Sequence, residues 1–246
     1  MISGIYTLTS GMVAQVARLE VITNNLANSE APGFKADHLV VAPSRPATQA
    51  QRPLPSPSAY QPTGVEVAAY FTDFSQGPIR PTGVDLDVAL NGPGFFVVQT
   101  PGGLLYTRAG NFTLNRDGEL VTHGGHRVQG DAGPIRIGNG PVEIDRQGAI
   151  SEGGRAVGRL RVVDFTRPYA LEKEEGQLFR LRDETVAPET AREVEVIAGH
   201  QEASNMGVVQ SIVELIDTMR TFEAYQRLLQ SMDNSVVRAA NELGRV

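Results

Sequence analysis

Two stretches of the chain carry helical periodicity, and they lie at its opposite ends. Over residues 3–28 the apolar positions Ile5, Leu8, Met12, Val16, Leu19, Ile22 and Leu26 recur at spacings of three and four, which lines them along one face of a helix. Ser3 is placed to cap its start, and Pro32-Gly33 stops any helix that reaches that far. Over residues 205–244 the pattern returns with Val209, Ile212, Ile216, Met219, Phe222, Tyr225, Leu229, Met232, Val236, Ala240 and Leu243, widened by Val208, Val213, Leu215, Leu228 and Val237. Ser204 or Asn205 can cap that helix. At a rise of ~1.5 Å per residue the two elements span roughly 40 and 60 Å.

The stretch between them reads differently. Pro43, Pro46, Pro53, Pro55, Pro57 and Pro62 sit among Ser, Gln and Ala, and repeated proline removes backbone donors and favours extended chain. From about residue 63 to 200 short β-prone runs alternate with glycine turns: Phe95-Phe96-Val97-Val98 before Pro101-Gly102-Gly103, then Leu104 to Thr107, Phe112 to Leu114 before Asp117-Gly118, and Leu120 to Thr122 before Gly124-Gly125. Strand-sized pieces without intervening helices predict antiparallel β structure. The predicted class is α+β: an antiparallel β-rich central domain flanked by long N- and C-terminal helices that pair in a coiled-coil-like hairpin. The expected boundaries are 1–35 for the first helix and its following loop, 36–62 for a proline-rich extended linker, 63–200 for the β-rich domain and 201–246 for the last helix.

The C-terminal stripe is broader than a single partner seam requires, since such a seam needs only two positions per heptad. A contiguous exposed stripe is improbable on a soluble monomer, so neighbouring copies are the natural cover. Contacts of that kind are heterologous and, if they do not close, build helical filaments. On pattern alone the alternative, both helices packing on their own β domain, stays open.

Composition narrows the classes without choosing among them. The net charge of -6 gives no electrostatic reason for a nucleic-acid or anionic-membrane partner. With no cysteine there is no disulfide, thiolate metal site or thiol nucleophile. Lys35 and Lys173 are the only lysines, every other basic side chain being arginine. The N-terminus lacks the basic start and short apolar block of a secretory signal, and no run of about 18 apolar residues exists to span a bilayer.

Candidate chemistry is thin. His123 and His126 bracket Gly124-Gly125, but no third ligand stands nearby in a recognisable pattern, so both read as turn residues. Asp85 and Asp87 share one face of a strand and read as a solvated face rather than an acid–base pair. Asn115-Arg116-Asp117-Gly118-Glu119 lacks the regular carboxylates of a calcium loop and reads as a β-turn. The glycines at 92, 94, 124, 125 and 130 lack the spacing of a phosphate cradle, and no nucleophile elbow occurs. No catalytic, cofactor-binding or metal-ligating residue is expected, and no cofactor or small-molecule substrate.

Three motifs in order resemble one family. Asn24-Asn25-Leu26-Ala27-Asn28 followed by Pro32-Gly33-Phe34-Lys35 is similar to the N-terminal signature of the flagellar rod, hook and hook-associated axial proteins. Leu86 to Leu90, Gly92-Pro93-Gly94-Phe95-Phe96, Tyr106-Thr107-Arg108, Gly110-Asn111-Phe112 and Asp117 to Thr122 resemble its central part. Glu202-Ala203-Ser204-Asn205-Met206 and Met219-Arg220-Thr221-Phe222-Glu223 resemble its C-terminal motifs. Gly130 to Ile135 and Val157 to Leu160 look most like the proximal-rod members, with the distal-rod members as the alternative. Ala31, Asn115 and Gln201 depart from the usual Thr, Asp and Leu.

The resemblance implies a structural subunit of the basal-body rod that lies in the periplasmic space and transmits torque. It implies export from the cytoplasm by the flagellar type III apparatus without a cleaved signal, with copies of itself and neighbouring rod proteins as partners. The assembly residues it points to are Asn24, Asn25, Leu26, Ala27, Asn28, Gly33 and Phe34 at the N-terminus. In the last helix and its approach they are Ser204, Asn205, Ile212, Ile216, Met219, Phe222, Leu229 and Met232. A periplasmic β-rich hydrolase or carbohydrate-binding protein is the rival from another class; the chain has neither tryptophan nor a persuasive carboxylate cluster to support it.

Overall fold

The computed structural model describes residues 2–44, 64–138, 140–174, 176–183, 186–191 and 193–243. The chain forms two compact units, one of residues 1–27, 37–73 and 207–246, the other of residues 28–36 and 74–206. The architecture is α+β, with a helix at each end of the chain and antiparallel strands between.

The first unit is a helical hairpin with a two-stranded ribbon. Helix α1 (Ile2–Ala27) and helix α2 (Val208–Leu243) run antiparallel, since Gly4 faces Met232, Gly11 faces Tyr225, and Arg18 lies 4.0 Å from Glu214. Of the expected α1 stripe, Ile22 is buried, Leu8, Met12, Leu19 and Leu26 are half-buried, and Ile5 and Val16 are exposed. The covered side also carries the small residues Gly11 and Ala14, which the apolar periodicity does not single out. Gly11 lets the Tyr225 ring pack close, since a Cβ at that position would stand 3.0 Å from it, tighter than ordinary contact. Ser3 lies inside α1 rather than before it, and α2 starts three residues beyond Asn205, so neither expected cap is one. Strands β1 (Asp37–Pro43) and β2 (Val65–Thr72) pair antiparallel with a bulge between Val40 and Val41. β1 occupies the start of the expected linker; residues 45–62 of that linker lie outside the described residues.

The second unit is the β domain. Its main sheet runs in the order Leu171–Lys173, Leu178–Leu181, Gly103–Thr107, Phe95–Thr100, Arg127–Gly130, Leu120–Val121, Thr113–Leu114. The Phe95–Thr100 strand is central, and its four consecutive apolar residues are all at most 2% exposed. Successive side chains of a strand point to opposite faces, so an unbroken apolar run requires cover on both sides. Phe96 and Val98 enter a core with Leu90, Leu105, Val128 and Ile150, while Phe95 and Val97 enter another with Tyr106, Phe165 and Phe179. Phe95 meets Phe179 and Tyr169 in edge-on geometry at centroid separations of 5.8 and 5.5 Å, a favourable arrangement for aromatic quadrupoles.

Smaller expectations resolve within this unit. His123 and Gly124 form the turn between the Leu120–Val121 and Arg127–Gly130 strands, closed by the amide of Thr122 donating to His126 O at 2.8 Å. Asn115 organises its own turn, its Oδ1 accepting the amides of Asp117 and Glu119 at 2.9 Å each. Glu119 is buried between Arg127 Nε at 2.8 Å and Arg136 Nη2 at 3.0 Å. A hydrogen bond from Asn115, then those from the two arginines, hold its carboxyl below the usual range. Asp87 is buried beside the bridge it forms with Asn111, not part of a solvated face, because the antiparallel neighbour closes over it.

Candidate functional site

The N-terminal motif spans both units. In the hairpin unit Asn25 is buried, its Nδ2 donating to Asp37 O at 2.8 Å and its Oδ1 accepting the Asp37 amide at 3.0 Å. That two-way clamp fixes where β1 begins. Leu26 is half-buried and Ala27 ends α1, and Asn28 O accepts the Ala31 amide in the turn that follows.

The rest of the motif lies in the β domain, where residues 33–36 meet residues 202–205. Gly33 has φ +67°, and a Cβ there would stand 2.4 Å from Ala109 N and from Arg108 C. Glycine is the residue that both the conformation and the close approach demand. Its amide donates to Glu202 O at 2.7 Å. Phe34 is buried beneath Lys173, whose ammonium lies 4.1 Å from the ring centroid, a cation–π geometry. Asn205 donates its amide to Phe34 O, accepts the Ala36 amide at Oδ1 at 2.8 Å, and donates Nδ2 to Ser75 O and Oγ at 3.2 Å. Ser204 is buried next to it and its Oγ accepts the Met206 amide.

At the centre of this junction is a buried ionic triad. The Glu202 carboxylate, with no side-chain exposure, accepts Lys35 Nζ at 2.6 Å, Arg108 Nε at 2.8 Å and the Gly77 amide at 2.9 Å. Lys35 also donates to Ser75 O at 2.6 Å, and Arg108 donates Nη1 to the carbonyls of Gly92 and Gly94 at 2.9 and 2.7 Å. Two cations face one anion, and backbone carbonyls take up the excess. These groups are saturated by one another and expose no nucleophile beside a base. An open cleft of about 480 Å³ borders the triad, lined by Phe74, Pro93, Phe95, Arg167 and Tyr169. The Tyr169 hydroxyl bonds Asp164 at 3.0 Å and burial pushes its pKa up, so it is a packed side chain and not a poised base. Among the described residues no group of three or more His, Asp or Glu is placed to hold a metal ion.

The structure brings together Gly33, Phe34, Ser204 and Asn205 of the expected assembly residues; Lys35, Arg108 and Glu202, which bind them, stand in the family motifs but not among those expected residues. A signal was present. In a chain that uses arginine almost everywhere, the two lysines both sit at this junction. A compact ammonium fits a narrow pocket of carboxylate and carbonyl oxygens that a planar guanidinium does not.

The helix residues form a separate set in the hairpin unit, and they divide. Ile212, Ile216 and Met219 are exposed, whereas Phe222, Leu229 and Met232 are half-buried on the side of α2 that carries Tyr225 and Thr218 towards α1.

A β domain with its own core, a saturated ionic junction and paired terminal helices with exposed apolar faces are the features of a structural protein. Family models agree along the chain. Residues 5–35 match the flagella basal body rod protein family, residues 89–152 the FlgE/F/G D1 domain of the flagellar hook protein, and residues 197–242 the C-terminal region of the flagellar basal body rod FlgEFG proteins. The flagellar basal-body rod protein FlgF of Caulobacter vibrioides is 33% identical, with 99% of each chain covered. FlgF of Rhizobium meliloti is 31% identical over 98% of each chain, and FlgG of Buchnera aphidicola subsp. Schizaphis graminum 31% identical over 95% of this chain and 96% of its own. The chain belongs to the flagellar basal-body rod protein family, with F-type rod proteins among its relatives, and it is a structural, non-enzymatic member.

Proposed function

We propose that the protein is a subunit of the proximal rod, polymerising through α1 and α2 and carrying torque from motor to hook. The observation that carries this reading is the distribution of exposed apolar side chains on the hairpin. Ile5, Tyr6, Val13 and Val16 lie on the half of α1 turned from the Gly4–Gly11–Arg18 seam. Val209, Ile212, Val213, Ile216 and Met219 lie on the half of α2 turned from α1. Because the helices are antiparallel, these strips occupy opposite ends of the hairpin.

Two different apolar faces at opposite ends favour a head-to-tail contact, α2 of one copy on α1 of the next, which leaves a free face at each end and so propagates. Aligning the strips shifts the second copy by about ten residues, or roughly 15 Å at ~1.5 Å per residue. Each buried Val, Ile or Met contributes about 1.5–3 kcal/mol, and sliding the helices under load exposes those side chains again. Neighbouring rod proteins present the same kind of face at the ends of this protein's stretch. Export through the flagellum's own apparatus and a place in the periplasmic rod follow from the family. The G-type relatives favour one alternative, a distal-rod subunit.

The natural absence of cysteine supplies a clean test. In motile cells a Val13→Cys, Ile212→Cys double variant should form crosslinks between copies within purified basal bodies, and neither single variant should. Crosslinks confined to one chain, or absent although basal bodies assemble, would remove the basis for head-to-tail packing. Basal bodies from cells lacking the protein should end before the distal rod; a complete proximal rod there would favour the distal assignment.

A further inference from the structure

We propose that Glu202 makes residues 33–36 dependent on the C-terminal segment: the loop seats on the β domain only after residues 200–205 are in place, although it is made far earlier. This inference concerns folding within one subunit and does not rest on the proximal-rod reading.

The asymmetry lies in where each segment finds its partners. The His200–Glu202 strand pairs with Ile79–Pro81, and the Glu202 carboxylate has Arg108 Nε and the Gly77 amide within the β domain. Ala203 also donates its amide to Pro78 O at 2.9 Å. All of those bonds can form without the N-terminal loop. The loop, by contrast, meets the C-terminal segment at each of its four residues, through Gly33 N on Glu202 O, Phe34 O on Asn205 N, Lys35 Nζ on Glu202 Oε1, and Ala36 N on Asn205 Oδ1; its contacts with the rest of the β domain include Lys35 with Ser75 O and Lys173 with Phe34 and Lys35 O.

Charge sharpens the order. Side chains of Lys35 and Arg108 are 1% and 5% exposed. Were the loop to seat first, the Lys35 ammonium would enter a site that already holds the Arg108 guanidinium, with no carboxylate between them. Burying two like charges without their counter-ion is strongly unfavourable. Once Glu202 has docked on Arg108, the same pocket presents the carboxylate and the Ser75 carbonyl to Lys35, and the ammonium enters a complementary site. The two segments are 167 residues apart in sequence at the Lys35–Glu202 pair. The N-terminal loop therefore stays unseated until nearly the whole chain is available.

Hydrogen exchange on the full-length protein tests this. In Glu202→Ala the amides of Gly33, Ala36 and Asn205 should exchange faster by roughly a hundredfold or more, while those of the Phe95–Thr100 and Gly103–Thr107 hairpin keep their protection. In Lys35→Met the loop amides should loosen, but Gly77 and Ala203 should stay protected, because their partners lie outside the loop. Retained protection at Gly33 and Ala36 in Glu202→Ala would overturn the proposal, and so would equal loosening of Ala203 in Lys35→Met. Should Glu202→Ala also unfold the central hairpin, the stabilities of Lys35→Met, Glu202→Gln and the double variant decide instead. Additive effects would overturn the coupling, and a double variant less damaged than the sum of the singles would support it.

Discussion

The β domain and the helical hairpin handle apolar side chains in opposite ways. In the β domain the central strand is covered on both faces, and Phe95, Phe96, Val97 and Val98 are almost wholly removed from water. In the hairpin the covered side holds Gly11, Ala14 and Ile22 of α1 with the half-buried Phe222, Tyr225, Leu229 and Met232 of α2, while a second set of large apolar side chains, among them Val13, Val16, Ile212, Ile216 and Met219, is exposed. One unit buries its apolar surface within its own fold, and the other leaves part of that surface exposed. Burial thus separates residues that hold the subunit together from residues whose apolar side chains remain in water, which periodicity alone does not do.

Breaking the closed unit should have the largest effect. Phe96 has no exposure and packs edge-on to Phe112 at 5.1 Å. Phe96→Ala should cost about 3–5 kcal/mol, measured by denaturant unfolding of the β domain, and should lower the yield of exported protein as well. A loss under about 1 kcal/mol would mean that the two-sided core is not the source of the domain's stability. Next comes the seam of the hairpin. Gly11→Val places a branched side chain against the Tyr225 ring, an overpacking that should cost about 1–3 kcal/mol. Helix signal in circular dichroism should melt earlier while the β domain's transition stays where it was.

The class of the first unit and much of its covered side were legible in the sequence. Spacings of three and four mark both helices and include Ile22, Phe222, Tyr225, Leu229 and Met232, all covered or half-covered, but the same spacings take in Ile5 and Val16, which are exposed, and leave out Gly11 and Ala14, which are buried. Tyr225 needs the missing side chain of Gly11, a cue that emerges only when the partner's position is known. In the β domain the run Phe95 to Val98 and the glycine turns announced the strands correctly, because a doubly covered strand and a tight turn leave local marks. The prolines that mark the expected 36–62 linker begin only at Pro43, so they do not signal the Asp37–Pro43 strand, whose first residue Asn25 anchors. The ionic junction left a faint mark, since Lys35, Arg108 and Glu202 are brought together only by the fold.

A smaller effect belongs to pH. Glu119 is held below its ordinary carboxyl range by Asn115, Arg136 and Arg127, so it is more easily ionised folded than unfolded. Its contribution is therefore present above the unfolded value of about 4.3 and is lost as pH falls through the folded one. Glu119→Gln should destabilise the β domain at neutral pH, and the difference from the parent protein should shrink on acidification. A gap in melting temperature that holds constant from about pH 7 down to 3 would show that the charge is not what Arg127 and Arg136 recognise.

The smallest expected effect on folding is the one that separates the two regions most sharply. Ile216 sits on the outer half of α2, 45% exposed in the subunit, whereas Leu229 lies on the inner half and is partly covered. Ile216→Asp places a charge where the monomer already meets water, so its unfolding free energy should stay within about 0.5 kcal/mol of the parent. If α2 of one copy is covered by α1 of the next, the same charge is buried without a partner on assembly, at a cost of several kcal/mol per contact. Rod assembly and motility should then fail while secretion into the periplasm continues. Leu229→Asp is the internal comparison: it should weaken the hairpin itself, and so affect helix melting before any question of assembly arises. Normal motility with Ile216→Asp would mean that this strip stays in water in the rod. Equal damage to helix melting by both variants would mean that the two faces of α2 are not distinct.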